Sequence, residues 1–239
     1  MSISPRTQNP VEKTSFLFLL TWVGGYCNAY TYMTRDGILA NNHTGDMSKL
    51  GISLAQGNYS TAFSSLALIV SFVLGPFLYE LLSITMKKNS SKNDWRSLAL
   101  LLESLFLLCV GFFPQTTPNL LVASLMSMVT GFQLTIFRKW LGEAYNTTIC
   151  TGNLRSLGIY LCHASVLGGK ERWKKALAFI ILLCSFTIGS LCCTLLCNTF
   201  MLHATYSIWV AIIPLMILFS QLQLYNKSKV SNLLSNVNL

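Results

Sequence analysis

The residues with chemistry to offer fall into two short polar stretches. His43-Thr44-Gly45-Asp46 is followed by Leu50-Gly51, and Cys150-Thr151-Gly152-Asn153 is followed by Leu157-Gly158. Thr44 and Thr151 stand where a capping side chain opens a helix, with a small residue next and Asp or Asn in the first turn. The unpaired backbone N–H groups at such a start form a site for anions or polar ligand groups. His43 and Asp46 could act as a proton-coupling pair, because imidazole titrates near neutrality; the plainer reading makes both ordinary polar neighbours of a helix start. Asn28 and Gln133 are isolated polar side chains in apolar stretches. Each either joins two helices by a hydrogen bond or lines a site. Glu103 should lie within reach of the inner surface, as a functional acid or as the partner of Arg96, seven residues earlier. Arg138 and Lys139 close an apolar stretch and set topology, although Arg138 could also hold an acidic group.

These residues must be positioned by elements, and composition says which kind. Of 239 residues, 52% are hydrophobic and 10% charged, against about 25% charged in an ordinary soluble domain. Mean hydropathy is +0.52. A hydrocarbon core about 30 Å thick needs roughly 20 apolar residues in a helix. Six segments meet this within a few residues: 14–34, 60–85, 97–113, 119–137, 176–199 and 205–225. The third is the shortest and carries Glu103. The polar stretch Met1–Lys13 leads into the first without a cleavage signal, so that segment reads as a retained span.

Charge orients them. With the N-terminus inside, fifteen of the seventeen Lys and Arg residues fall inside, around 86–96, 138–175 and both termini; Arg35 and Lys49 fall outside. Such a positive-inside bias supports six spans, because an odd number would split the basic clusters. The net charge of +9 therefore marks topology. There is no basic stripe with interleaved aromatics of the kind that binds nucleic acid.

Enzymatic chemistry has little to work with. His43 and His203 fall on the outer side and His163 on the inner side, so the three do not converge. Cys27, Cys109, Cys184, Cys192, Cys193 and Cys197 lie in apolar runs, and Cys150 and Cys162 in a semi-polar one. With no Cys-x-x-Cys pair, neither a zinc nor a thioredoxin-like site is indicated. No catalytic residue, metal or cofactor is expected.

The chain also repeats itself. Gly25-Tyr26 on the first span matches Gly131-Phe132 on the fourth, and Ser71-Phe72-Val73-Leu74-Gly75 on the second matches Ser185-Phe186-Thr187-Ile188-Gly189 on the fifth. With the two Thr-Gly stretches between, three matches keep one order. Each half reads as span, polar segment, span, span, with the main length difference near the basic loop Lys170–Lys175. Three spans per half make the second half inverted relative to the first, a device of secondary transporters with the site between the halves. Residues 44–56 and 151–166 can each form a short helix, ending at Gly57-Asn58 and Gly168-Gly169. These helices either lie in the membrane interface or dip inward with their N-termini facing each other. Irregular backbone at depth is tolerated only when buried in protein or lining a cavity.

Gly24-Gly25-Tyr26-Cys27-Asn28-Ala29 and Asn42-His43-Thr44-Gly45-Asp46 resemble the first-half motifs of the YoaK family of bacterial inner-membrane proteins. Gly131-Phe132-Gln133, Arg138 and Thr151-Gly152-Asn153-Leu154 resemble its second-half pattern. The resemblance runs over about 14–225, with one departure: Leu134 stands where the family usually has Asn after Gln133. It implies a membrane domain of unknown function, often described as a permease.

The sequence thus predicts an all-α membrane protein, a single domain over 1–239. Six transmembrane helices form two inverted three-span repeats, 14–113 and 119–225, each with a short extra polar helix. The expected function is inner-membrane transport of an unidentified small molecule, with proton coupling an option and both termini cytoplasmic. The alternatives are a non-transporting lipid-binding, scaffolding or regulatory protein and, further off, a membrane-embedded enzyme. The expected substrate site is Asn28, Asn42, His43, Thr44, Gly45, Asp46, Gln133, Arg138, Thr151, Gly152 and Asn153. Membrane lipid is the expected partner, nucleic acid is not, and Gly75 and Gly189 could serve contacts within a chain or between copies in a homo-oligomer.

Overall fold

A computed structural model describes residues 10–86, 92–137, 139–140 and 143–237. The chain is a helical bundle. In order, the helices are α1 (Thr14–Thr34), α2 (His43–Ala55), α3 (Tyr59–Met86), α4 (Lys92–Gly111), α5 (Asn119–Ile136), α6 (Cys150–Leu167), α7 (Lys170–Phe200) and α8 (Ile212–Val237). A 3-10 segment, Met201–Ala211, leads into α8. Between α5 and α6 a two-residue strand, β1 (Lys139–Trp140), pairs antiparallel with β2 (Glu143–Ala144).

All six predicted apolar segments are helical over most of their length. Among the described residues, four helical stretches are long and apolar enough to cross a membrane: Tyr59–Thr85, Asn119–Ile136, Lys170–Phe200 and Ala204–Ser228. α1 and α4 are 21 and 20 residues long but more polar. For α1 the reason is position: Leu17, Leu20, Val23, Tyr26 and Tyr30 are fully buried, so other helices rather than lipid surround it. The lipid-level helices reverse the soluble pattern. α3 exposes Phe63, Val70, Val73, Phe77 and Ile84 while burying Ser65 and Ser83.

The packing order is regular. α1 packs most extensively on α7, and α3 on α5; α2 lies on α3, α6 on α7, and α4 on α8. Each pairing has a counterpart when α1–α4 are exchanged for α5–α8. Small residues make the two largest interfaces possible. A Cβ on Gly25 would sit 2.0 Å from the Phe186 carbonyl oxygen, and one on Gly189 would sit 2.1 Å from that of Trp22. A Cβ on Gly131 would meet the Phe72 carbonyl at 2.5 Å, and one on Gly75 that of Met128 at 2.2 Å. Gly75 and Gly189 therefore serve contacts within the chain, where backbones meet with no room for a side chain.

Several boundaries differ from expectation. Thr44 and Thr151 are not caps: the helices begin earlier, with Asn42 and Ile149 in the capping positions, neither bonding through its side chain. The short helices do end at the predicted glycines, since Gly57, Gly168 and Gly169 adopt positive φ, which glycine does without a Cβ clash. The basic stretch Lys170–Lys175 is the first turns of α7 rather than a loop, and Lys174 bonds Glu171 along it.

Candidate functional site

The lead-ins to the two short helices meet at the middle of α1, and of the predicted residues Asn28 takes part in that meeting. Gly24, the eleventh residue of that 21-residue helix, leaves space that a Cβ would fill, 2.5 Å from the Thr147 carbonyl oxygen. The chain leading into α6 therefore lies directly on α1. From the other side comes the chain leading into α2. Asn41, buried, donates through Nδ2 to the Thr148 carbonyl at 3.1 Å and to the Gly24 carbonyl at 3.5 Å. Its backbone N–H donates to Asn28 Oδ1 at 3.3 Å. The lead-ins to the two short helices thus meet each other beside α1, and Asn28 is the bracket that holds the first.

On the α2 side, Asn42 covers the first turn. A Cβ on Gly45 would be 2.4 Å from Asn42 Nδ2, so a larger residue there would displace the Asn42 side chain. Thr44 points outward and is exposed, its carbonyl accepting from Ser48. His43 stacks on Phe72 with ring centroids 4.0 Å apart, and its Nδ1 lies 3.4 Å from Asp46 Oδ2. Asp46 is 3% exposed, and Oδ2 makes no hydrogen bond. The His43 imidazole is the group that faces this oxygen, and a buried carboxylate oxygen without such a partner is costly. Asp46 also lines a cavity of about 170 Å³ with Asp36, Asn42, Lys49, Thr61, Ser64 and Ser65, between α2, α3 and the start of α5. Two carboxylates, one ammonium and three hydroxyls suit a small polar solute.

The α6 side is built differently. Asn153 stands where Asp46 does, but both its polar atoms are engaged: Oδ1 accepts from the Asn146 N–H at 3.1 Å and Nδ2 donates to the Asn146 carbonyl at 2.6 Å. Asn146 in turn covers Gly152, whose Cβ would lie 2.6 Å from its Nδ2. Thr151 is exposed. The Thr147 and Thr148 hydroxyls are buried without a hydrogen bond, next to Gly24 and Asn41. The Cys150 thiol is part-buried at the start of α6. Tyr145 is buried and hydrogen-bonds Thr21.

Gln133 is buried and donates to the Leu20 carbonyl at 3.4 Å, away from the meeting point, as a link between α5 and α1. Arg138 lies outside the described residues. Glu103 is not near an end of its helix: it is the twelfth of twenty residues in α4 and forms no ion pair with Arg96. His163 is exposed on α6. Among the described residues, no three His, Cys, Asp or Glu side chains converge to hold a metal ion.

This central arrangement occupies the part of the chain covered by a family described as "Protein of unknown function (DUF1275)", which matches residues 16–220. The chain belongs to that family. Over 148 residues it is 26% identical to the UPF0700 transmembrane protein YoaK of Bacillus subtilis (strain 168), covering 61% of this chain and 65% of the relative. The match thus spans slightly less than two thirds of that relative's length. No solved structure matches the chain. The YoaK-family resemblance of the Gly24–Ala29 and Asn42–Asp46 motifs holds along most of the molecule, a multi-pass helical membrane protein.

Sequence reasoning missed Asn41, Asn146, Thr147 and Thr148. A signal was present: Asn41 and Thr148 each stand two residues ahead of their helix, at matching places before the two Thr-Gly motifs. Arg35 was read as an outside charge only. It is fully buried, donating to the Pro114 carbonyl at 3.0 Å and the Phe113 carbonyl at 2.9 Å. It thereby ties the end of α1 to the link between α4 and α5.

Proposed function

We propose that this chain is a six-span secondary transporter of a small polar solute, built as two inverted three-span repeats. It sits in the cytoplasmic membrane with both termini inside, and α1 and α4 complete the six spans. The observation that carries the reading is the contact of the two helix lead-ins at the middle of α1, through Asn41 and Thr148. Discontinuous helices meeting at depth between repeats are how such transporters form a site. The packing order supports the repeat, because each helix pairing maps onto another when the halves are exchanged.

The side chains of α2 and α6 support an inward placement. α2 buries Asp46 and Ser53 and exposes Met47, Ile52 and Leu54; α6 buries Asn153 and Ala164 and exposes Leu154, Ile159 and Val166. Both helices also expose polar residues, Thr44, Ser48 and Lys49 on α2 and Thr151, Arg155 and His163 on α6, so the buried Asp46 and Asn153, rather than the outer faces, are what support that placement. The solute binds between Asp46 and the two lead-ins, with His43 and Asp46 as one place for a coupling proton. Leu134, where the other half has Asn28, makes the second half-site a structural one.

The test is a solute panel on purified protein, read by thermal shift and then by uptake into liposomes. The expected result is stabilisation by a solute that is lost in Asp46→Ala. Uptake unchanged in both Asp46→Ala and Asn153→Ala would sink the site. Topology is checked by impermeant maleimide on cells after removal of the exposed Cys109, Cys162 and Cys184. Asp36→Cys, an exposed position next to the buried Arg35, is the outer probe. It should label from outside and Glu171→Cys should not; the reverse pattern would overturn the orientation.

A further inference from the structure

Glu103 is a buried acid that the proposed solute site does not use. It is 3% exposed in the middle of α4, and its Oε2 has no hydrogen-bond partner. Among the described residues no cation forms an ion pair with it, so none of them compensates a negative charge there. The groups around it can be named helix by helix. α5 carries no titratable residue, and α8 carries none over 212–224. In the 3-10 segment before α8, Tyr206 stacks on Trp209, whose indole donates to the Leu108 carbonyl, five residues beyond Glu103; His203 lies three residues further back. On α1, Cys27 is the titratable group within electrostatic range of Glu103, and Asn28 follows it directly in sequence.

An isolated carboxylate in such a place is far costlier than a carboxylic acid, which leaves only one unsatisfied atom. Acids kept inside membrane helices at that cost recur in proton relays. We infer that Glu103 is a proton-binding residue, neutral in the packed bundle and exchanging its proton with water when α4 moves against α1 and α8. The step is R–COOH to R–COO⁻ with release of H⁺ to water, and its reverse on closure. Its carrier role rests on the transport reading above, whereas the protonation itself does not.

The experiment is infrared difference spectroscopy of the purified protein against Glu103→Gln, with no solute present. Wild type should show the C=O stretch of a protonated carboxyl at neutral pH, lost in the variant. The band should shift down in D₂O, because an exchanging proton is replaced by deuterium. A carboxylate stretch in place of that band would overturn the proposal, and so would a band that never shifts in D₂O, since a sealed structural acid does not exchange. Should Glu103→Gln fail to fold, dicyclohexylcarbodiimide on the wild type makes the assignment. Its C=N bond adds a protonated carboxyl to give an O-acylisourea, which rearranges to a stable N-acylurea found by peptide mapping. An adduct at Glu103 and not at exposed Glu171 supports the site; the opposite preference refutes it. Failure here leaves the solute-binding tests untouched, and failure of those leaves this result standing.

Discussion

Gly25→Ala sets a helix-propensity gain against a packing loss, and the structure says which wins. Alanine in a helix is favoured over glycine by about 1 kcal/mol. The added Cβ, however, would lie 2.0 Å from the Phe186 carbonyl oxygen, 2.7 Å from its carbon and 2.9 Å from its Cα. All three are backbone atoms, so no side chain can swing aside. Restoring ordinary contact means separating α1 from α7 by about 1.4 Å along the largest interface in the molecule. A gap of even 0.5–1 Å forfeits a quarter to a half of each contact's dispersion energy, and overpacking of this kind costs about 1–3 kcal/mol or more. The net loss should be about 1–2 kcal/mol. At about 2–4 °C per kcal/mol for a chain of this length, thermal unfolding in detergent should fall by roughly 2–8 °C. Gly131→Ala, the counterpart on α5, should fall less, because its first clash is 2.5 Å from the Phe72 oxygen. Gly51→Ala is the control: nothing lies within 4 Å, so the melting temperature should hold or rise. A Gly25→Ala protein melting at or above wild type would refute the close approach of α1 and α7.

Other substitutions probe the polar links. Arg35→Lys should cost about 1.5–3 kcal/mol in thermal unfolding, since one ammonium cannot reproduce the guanidinium fork on two carbonyls; a shift no larger than that of a surface Lys would count against it. Asn28→Leu copies what Leu134 does in the other half and strands the Asn41 N–H, for a loss of about 1–3 kcal/mol. Asn153→Ala should destabilise by a similar amount and Asp46→Ala by less, while only the latter abolishes solute-induced stabilisation. Equal loss of solute binding in both would show that the two halves contribute alike.

Much of the architecture was legible in the residues. Apolar runs of span length described a helical, multi-pass membrane bundle, and glycines within them mark where its helices meet most closely. The short helices were legible from Thr-Gly-Asp and Thr-Gly-Asn and from the glycines that end them. Their starts were misplaced because Thr44 and Thr151 are strong capping types in isolation, whereas Asn42 and Ile149 hold the capping positions in the structure.

Pattern and composition determined what is local or periodic: which stretches are helical, which are apolar enough for lipid, and that Gly25, Gly75, Gly131 and Gly189 occupy equivalent positions. Only the tertiary structure decided what meets what. It set Asn41 against Thr148 across 107 residues, engaged both ends of Asn153 while leaving Asp46 Oδ2 open, and buried Arg35 and Glu103 in places where one is bonded and the other is not. The physical reason is that a hydrogen bond or a desolvation cost depends on neighbours distant in sequence. Two motifs nearly identical in sequence therefore took different roles once the bundle closed around them.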